Sequence, residues 1–125
     1  MRRILFGLSG LLLIASCGGE GGDASTSGED VVVSMFDNRF EFIEIRIPVG
    51  GTVKFVGAGR NAHNAVAADG SWSTEDVFGS PEQYEGDEAI LIFDEPGEQI
   101  FFCTFHGNAE GDGMAGTLIV GPTDG

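Results

Sequence analysis

The chain has 125 residues, enough for one small domain, and its 20 acidic residues against 6 lysines and arginines give a formal net charge of −14. A surface this acidic repels phosphate, which argues against nucleic-acid binding. Ten phenylalanines can supply much of the core that a domain of this size needs.

The N-terminal segment predicts export and lipid attachment. A short basic start is followed by an apolar run at residues 4–14, which is too short to cross a bilayer as a helix but suits a secretory signal. The next residues, Ile14-Ala15-Ser16-Cys17, resemble the end of a bacterial lipoprotein signal, which implies cleavage before Cys17 and a diacylglyceryl thioether on its sulfur. We therefore expect a signal peptide at residues 1–16. The alternatives are an ordinary signal peptide with an incidental cysteine, or a disulfide between Cys17 and Cys103.

Residues 17–30 follow the predicted cleavage site, are rich in glycine and serine, and lack apolar side chains large enough to pack. Such a composition is typical of a flexible coil, so we expect a tether that holds a domain near a lipid surface. A lipid on Cys17 would leave Cys103 without a disulfide partner in an oxidising compartment. Binding to a metal would explain how that thiol escapes oxidation.

From residue 31 the sequence changes to short apolar runs separated by glycine, proline, aspartate and asparagine. No run of eleven or more residues has helical periodicity, although the loop at residues 68–85 could contain a short helical turn. The pattern predicts about seven short strands and, most simply, an all-β Greek-key sandwich over residues 31–121, with a short tail at residues 122–125. The predicted strands are residues 31–35, 41–47, 52–56, 63–67, 89–93, 99–103 and 117–120.

The most informative stretch is FFCTFHGNAEGDGM, at residues 101–114. It places His106 three residues after Cys103 and Met114 eight residues after His106, and the only other histidine is His63. A thiolate, imidazoles and a thioether favour copper over calcium or magnesium, which prefer oxygen ligands. Because a sandwich gathers its loops at two ends, these residues can meet. A zinc site with two histidines and one cysteine is a chemical alternative.

Two stretches, AHNAV at residues 62–66 and FCTFH at residues 102–106, followed by GMAGT at residues 113–117, resemble the copper-binding stretches of the plastocyanin/azurin, or cupredoxin, family. The resemblance implies one type 1 blue copper per chain. His63, Cys103 and His106 would then form the trigonal plane and Met114 would lie near the axis, although eight residues between His106 and Met114 is longer than is usual in the family.

The resemblance also implies that two polar neighbours of the ligands, Asn64 and Thr104, hydrogen-bond to each other and join the two ligand loops. Independently, the orientation of metal ligands requires polar links of this kind.

The function that these features favour is a shuttle of single electrons between redox proteins at the outer side of a prokaryotic membrane, in the periplasm or on the outer cell surface. The alternative is a lipoprotein that delivers or buffers copper, although the chain has no methionine-rich tract. Cys103 and His106 could also suggest a thiol nucleophile with its base, but no third orienting group or oxyanion hole is recognisable in the sequence. We therefore expect no enzymatic activity.

The negative charge predicts a redox donor and acceptor with basic docking surfaces, which the acidic chain would attract electrostatically. A solvated loop or adaptation to high salt would explain the same acids. We expect the protein to be a monomer. The densest acidic cluster, a candidate docking surface, consists of Glu82, Tyr84, Glu85, Asp87 and Glu88.

Overall fold

Strands dominate the architecture of the protein. A computed structural model describes residues 24–122, and within that range the chain forms nine strands and one short helix. The elements are β1 (Ser25–Ser27), β2 (Asp30–Phe36), β3 (Arg39–Phe40), β4 (Glu44–Ile47), β5 (Gly51–Gly57), β6 (Val66–Ala67), α1 (Glu75–Phe78), β7 (Glu88–Phe93), β8 (Gly97–Gly107) and β9 (Gly113–Val120).

The strands form two sheets, which confirms the predicted all-β sandwich. One sheet has the order β1-β4-β9-β8-β6, and the other has the order β3-β2-β5-β7. Parallel pairs, such as β2 with β5 and β4 with β9, join strands that are distant in sequence. The long antiparallel pair of β8 and β9 carries the C-terminal half of the candidate metal site.

The core forms where apolar side chains alternate along the strands and point between the sheets. Along β5 every second residue is buried, so Val53 and Phe55 face inward and Lys54 lies on the outer face. Phe101 of β8 lies with its ring centroid 4.9 Å from that of Phe40 and 5.8 Å from that of Phe55. This aromatic packing lies two residues from Cys103 on the same face of β8, so the site rests on a rigid core.

The N-terminal edge of the first sheet differs from the prediction. Residues 25–27, whose composition predicts a flexible tether, instead form β1 and pair in parallel with β4. The Gly28 amide also donates to the Arg46 carbonyl at 3.1 Å. Backbone hydrogen bonds hold this strand, and such bonds do not depend on an apolar side-chain pattern. Residues 17–23 of the predicted tether, including Cys17, and the signal peptide lie outside the described residues.

Other predicted boundaries also shift. Only Val66–Ala67 of the predicted strand at residues 63–67 belongs to a sheet, and His63 lies in the loop before it. Of the predicted strand at residues 41–47, only Glu44–Ile47 forms β4, in which Ile45 and Ile47 are buried, whereas Ile43 precedes the strand and is exposed. The short helical turn expected in the loop at residues 68–85 is present as α1. No helix among residues 24–122 has the length and apolar character needed to cross a membrane.

Candidate metal centre

Two parts of the chain that are forty residues apart meet at one end of the sandwich. Cys103 and His106 belong to β8, and His63 lies in the loop between β5 and β6. Within residues 24–122, these three side chains form the one group of histidine, cysteine and acidic residues close enough to hold a metal ion. His63 and Cys103 are fully buried and His106 is half-buried, so the site is largely shielded from water.

The three candidate ligand atoms face one another. Cys103 Sγ lies 3.8 Å from His63 Nδ1 and 3.7 Å from His106 Nδ1, and the imidazole ring centroids are 5.0 Å apart. One thiol hydrogen can reach only one of the two ring nitrogens, whereas one cation between the three atoms would contact all of them. The arrangement therefore fits a metal ion better than a hydrogen-bonded thiol.

The spacing also fits a trigonal metal site. A metal about 2.3 Å from a sulfur and about 2.0 Å from a nitrogen, with about 120° between the bonds, separates those ligand atoms by about 3.7 Å. The two sulfur–nitrogen distances in this site are of that size. Two imidazoles and one thiolate in a trigonal plane are the donor set of a type 1 copper.

His63 is fixed by backbone pairing on the loop that carries it. Its amide donates to the Gln83 carbonyl and its carbonyl accepts from the Gln83 amide, both at 3.0 Å. Two residues later, the amide of Ala65 donates to the hydroxyl of Thr74 at 3.1 Å, and the Thr74 amide donates to the Ala65 carbonyl at 2.9 Å. These bonds hold the ligand loop against two other segments, so His63 has little freedom to move.

The ring of His63 makes a second polar contact on the side away from Cys103. Its Nε2 lies 2.9 Å from Oδ1 of Asp37. The hydrogen bond with His63 and those from the backbone amides of Asn61 and Arg60 lower the pKa of Asp37 from 3.8 to about 2. An ionised carboxylate can only accept, so Nε2 carries the hydrogen of this bond, and a neutral ring with that hydrogen has its lone pair at Nδ1, on the side of the sulfur.

The expected hydrogen bond between Asn64 and Thr104 is present. Asn64 Nδ2 donates to Thr104 Oγ1 at 3.1 Å, and the Thr104 amide donates to Asn64 Oδ1 at 2.9 Å. Because Asn64 follows His63 and Thr104 follows Cys103, the pair joins the two ligand-bearing segments directly. This link fixes the separation of the two candidate ligands.

The long spacing between His106 and Met114 is taken up by a β-hairpin. Gly107 pairs with Gly113 beyond a shift in register that begins at Phe102, and the turn between the two glycines is closed by hydrogen bonds between Asn108 and Asp112. Met114 follows this pair at the start of β9 and is fully buried. The extra residues therefore form the turn of a hairpin, and regular pairing of β8 with β9 resumes beyond the ligands at Phe102 and Ala115.

The acidic cluster lies beside the ligand loop, since its neighbour Gln83 is the residue paired with His63. Glu82, Tyr84, Glu85 and Glu88 are exposed, and Asp87 is partly buried. The Asp87 carboxylate accepts from the Tyr84 amide at 2.8 Å, and Glu88 lies 3.4 Å from Lys54. The Tyr84 hydroxyl donates to the Glu82 carboxylate at 3.1 Å, and this bond raises the pKa of Tyr84. The cluster is thus partly a structured turn rather than five free side chains.

Sequence reasoning missed three residues that support the site, namely Asp37, Thr74 and Gln83. Each contacts the ligand loop from another segment, between nine and 26 residues away along the chain, and none of them stands in a recognisable ligand motif. The pair Asp37-Asn38 does carry a turn signal, because aspartate and asparagine are common in turns. In the structure Asn38 adopts a φ of 75° between β2 and β3. That signal predicts the turn but not its contact with His63.

Residues 29–121 match the model of a protein family described as copper binding proteins, plastocyanin/azurin family. No curated protein sequence matches the chain at a significant level. The matched range contains all four predicted ligands.

Solved structures with a similar fold include an oxidised mutant of amicyanin, with a TM-score of 0.58 and 22% identity over 72% of this chain and 80% of that chain. Reduced auracyanin from Roseiflexus castenholzii has a TM-score of 0.56 and 18% identity over 78% of this chain and 100% of its own. A copper-containing nitrite reductase from Thermus scotoductus SA-01 has a TM-score of 0.56 and 22% identity over 89% of this chain, but only 25% of the reductase is covered. These likenesses establish the shared fold.

Proposed function

Because this chain belongs to the plastocyanin/azurin family of copper-binding proteins, we propose that it carries single electrons between redox proteins. The observation that supports this proposal most strongly is the meeting of one buried thiol with the Nδ1 atoms of two imidazoles. Copper in such a site supplies a one-electron couple between Cu(II) and Cu(I).

Each ligand residue has a distinct role in the proposed function. Cys103 binds as a thiolate and dominates the electronic character of the site, and His63 and His106 bind as neutral imidazoles through Nδ1. Met114, buried at the start of β9, is the proposed axial ligand. A thioether binds weakly in that position and tunes the reduction potential rather than holding the metal.

The surroundings of the ligands favour electron transfer over metal exchange. The link between Asn64 and Thr104, the backbone pairing of His63 with Gln83, and the aromatic core below Cys103 all resist movement of the ligands. A site that changes little in shape between oxidation states loses little energy to rearrangement when an electron arrives. Full burial of His63 and Cys103 also hinders transfer of the metal to a partner.

His106 is the proposed point of electron exit, because it is the half-buried member of the three ligands and its neighbour Phe105 is exposed. A partner that docks over His106 and Phe105 would bury only a small area, which suits a brief encounter between redox proteins. The proposed partners carry basic docking surfaces that are attracted to the exposed acids Glu82 and Glu85, with Tyr84 between them.

The proposed location is the outer side of a prokaryotic membrane, in the periplasm or on the outer cell surface. It is supported by the signal-like residues 1–16 and the lipid acceptor Cys17 in the sequence. Mass spectrometry of the protein purified from membranes would test this location. It should find a diacylglyceryl group on an N-terminal Cys17, and an unmodified Cys17 would contradict the anchor.

The proposed shuttle is tested by repeated reduction and oxidation of the copper-loaded protein with ascorbate and ferricyanide, in the presence of a Cu(I) chelator. We expect the visible band to disappear and return over many cycles without loss of copper, because the ligands hold both oxidation states. Loss of copper to the chelator on the first reduction would instead support copper delivery or buffering.

A further inference from the structure

A carboxylate from a different part of the chain supports the candidate ligand His63. Asp37 occupies the turn between β2 and β3, and its Oδ1 lies 2.9 Å from His63 Nε2. The same side chain accepts from the Asn61 amide at 3.1 Å and from the Arg60 amide at 3.2 Å. Three donors of the ligand loop therefore converge on one carboxylate, which holds the loop that leads into His63.

Gly59 allows this approach. A Cβ atom at Gly59 would lie 2.2 Å from Asp37 Oδ1 and 2.9 Å from the Asp37 amide nitrogen, which is closer than real contacts permit. The backbone at Gly59 has no positive φ, so the absence of a side chain serves to admit the carboxylate rather than to adopt a special conformation. The loop is thus shaped around the carboxylate of Asp37.

We propose that Asp37 is a positioning residue for His63, which directs Nδ1 toward the copper and lowers the reduction potential of the site. This inference rests on the proposed copper site. It assigns to Asp37, which is not a ligand, an effect on the reduction potential of the copper.

The physical reason lies in the hydrogen bond from Nε2. A carboxylate that accepts this hydrogen bond fixes the tautomer of the ring and makes Nδ1 a more basic ligand. A more basic ligand and a nearby negative charge stabilise Cu(II) more than Cu(I), because the oxidised ion carries the larger charge. The midpoint potential is therefore lower with Asp37 than without it.

The experiment compares Asp37→Asn and Asp37→Ala with the wild-type protein. The matched control is Asp69→Asn, which makes the same change of charge in the turn after β6, where Asp69 accepts from Ser71. We expect both Asp37 variants to bind Cu(II) about 10-fold or more weakly and Cu(I) with less change. Each tenfold fall in the ratio of Cu(II) to Cu(I) affinity raises the potential by about 59 mV.

A second variant displaces the carboxylate without removing it. Gly59→Ala places a methyl group 2.2 Å from the position of Asp37 Oδ1, so we expect an upward shift in potential that is smaller than in Asp37→Ala, because the negative charge stays near the site. In the apoprotein, nitrogen NMR of the His63 ring should show hydrogen on Nε2 in the wild type and a mixture of tautomers in Asp37→Ala.

Two outcomes would overturn the positioning role of Asp37. Asp37 variants whose potential and Cu(II) affinity equal those of Asp69→Asn would overturn it, and so would an unchanged His63 tautomer in Asp37→Ala. A wild-type protein that binds no copper would instead contradict the proposed function, so the two failures can be told apart.

Discussion

Three contacts hold His63 in place. Its backbone pairs with Gln83, its Nε2 contacts Asp37, and its Nδ1 faces the sulfur of Cys103. A buried imidazole with its hydrogen directed to a carboxylate presents a lone pair at the opposite nitrogen. The geometry therefore prepares this residue to bind a cation before the cation arrives.

The proposed axial role of Met114 leads to a prediction with a close control. Met114→Leu should keep the visible band but raise the reduction potential, because loss of the thioether removes a weak donor to Cu(II). Met35→Leu makes the same change in β2, where Met35 is also fully buried, and should leave the potential unchanged. Electrochemistry of the copper-loaded variants measures these reduction potentials. Equal potentials in both variants and the wild type would exclude Met114 as a ligand.

At the residue level the sequence was sufficient to nominate the ligands, because the chain has only two histidines and Cys103 stands in a recognisable stretch with one of them. It could not identify Asp37. That residue is 26 positions before His63, and their contact exists only because the turn after β2 lies against the ligand loop.

The hairpin between β8 and β9 determines how His106 and Met114 are related. Gly107 and Gly113 pair so closely that a Cβ atom on Gly107 would lie 2.4 Å from the Met114 carbonyl oxygen. Likewise, a Cβ atom on Gly113 would lie 2.4 Å from the carbonyl oxygen of His106. The absence of side chains at these two glycines thus allows the backbones of β8 and β9 to approach each other beside His106 and Met114.

Gly113→Ala should destabilise the apoprotein more than Gly111→Ala. Both glycines have positive φ values, 74° and 95°, but the nearest atom to a Cβ on Gly111 is a side-chain carbon of Ile100 at 3.7 Å. The difference between the variants therefore reports the clash with His106, which we expect to cost about 1–3 kcal/mol. Denaturant unfolding of both apoproteins measures it, and equal losses of stability would contradict the close approach.

Strand prediction succeeded where side chains alternate and failed where the backbone alone decides. The alternating pattern of β5 was recognisable, with the boundaries off by one residue at each end. β1 and β3 were missed because they are only three and two residues long, and β1 lacks large apolar side chains. β8 runs past the predicted end at residue 103 because the hairpin extends its pairing to Gly107.

At the scale of the whole molecule, the net charge of −14 affects how fast a charged partner reaches the site at one end of the sandwich. Oppositely charged proteins meet faster than neutral ones, and salt weakens the attraction. In the proposed docking surface, the exposed acids Glu82 and Glu85 flank Gln83 and Tyr84 beside the His63 loop, where they would attract a basic partner to this end of the sandwich.

Neutralising Glu82 and Glu85 together as glutamines should therefore slow electron transfer with a basic cytochrome several-fold at low ionic strength. The control changes Glu95 and Glu98 to glutamine, since Glu98 lies on β8 about 16 Å along the strand from Cys103. Stopped-flow kinetics at increasing salt should show the difference between the pairs disappear. Identical rates for both pairs at low salt would rule out the docking surface.

Titration of the purified apoprotein with Cu(II), followed by visible absorption, tests the copper site most directly. The site predicts an intense charge-transfer band that saturates at one equivalent and is absent from Cys103→Ser, because the band arises from the thiolate. No band at saturating copper, or a band that persists unchanged in Cys103→Ser, would contradict a copper bound by Cys103 and the two histidines.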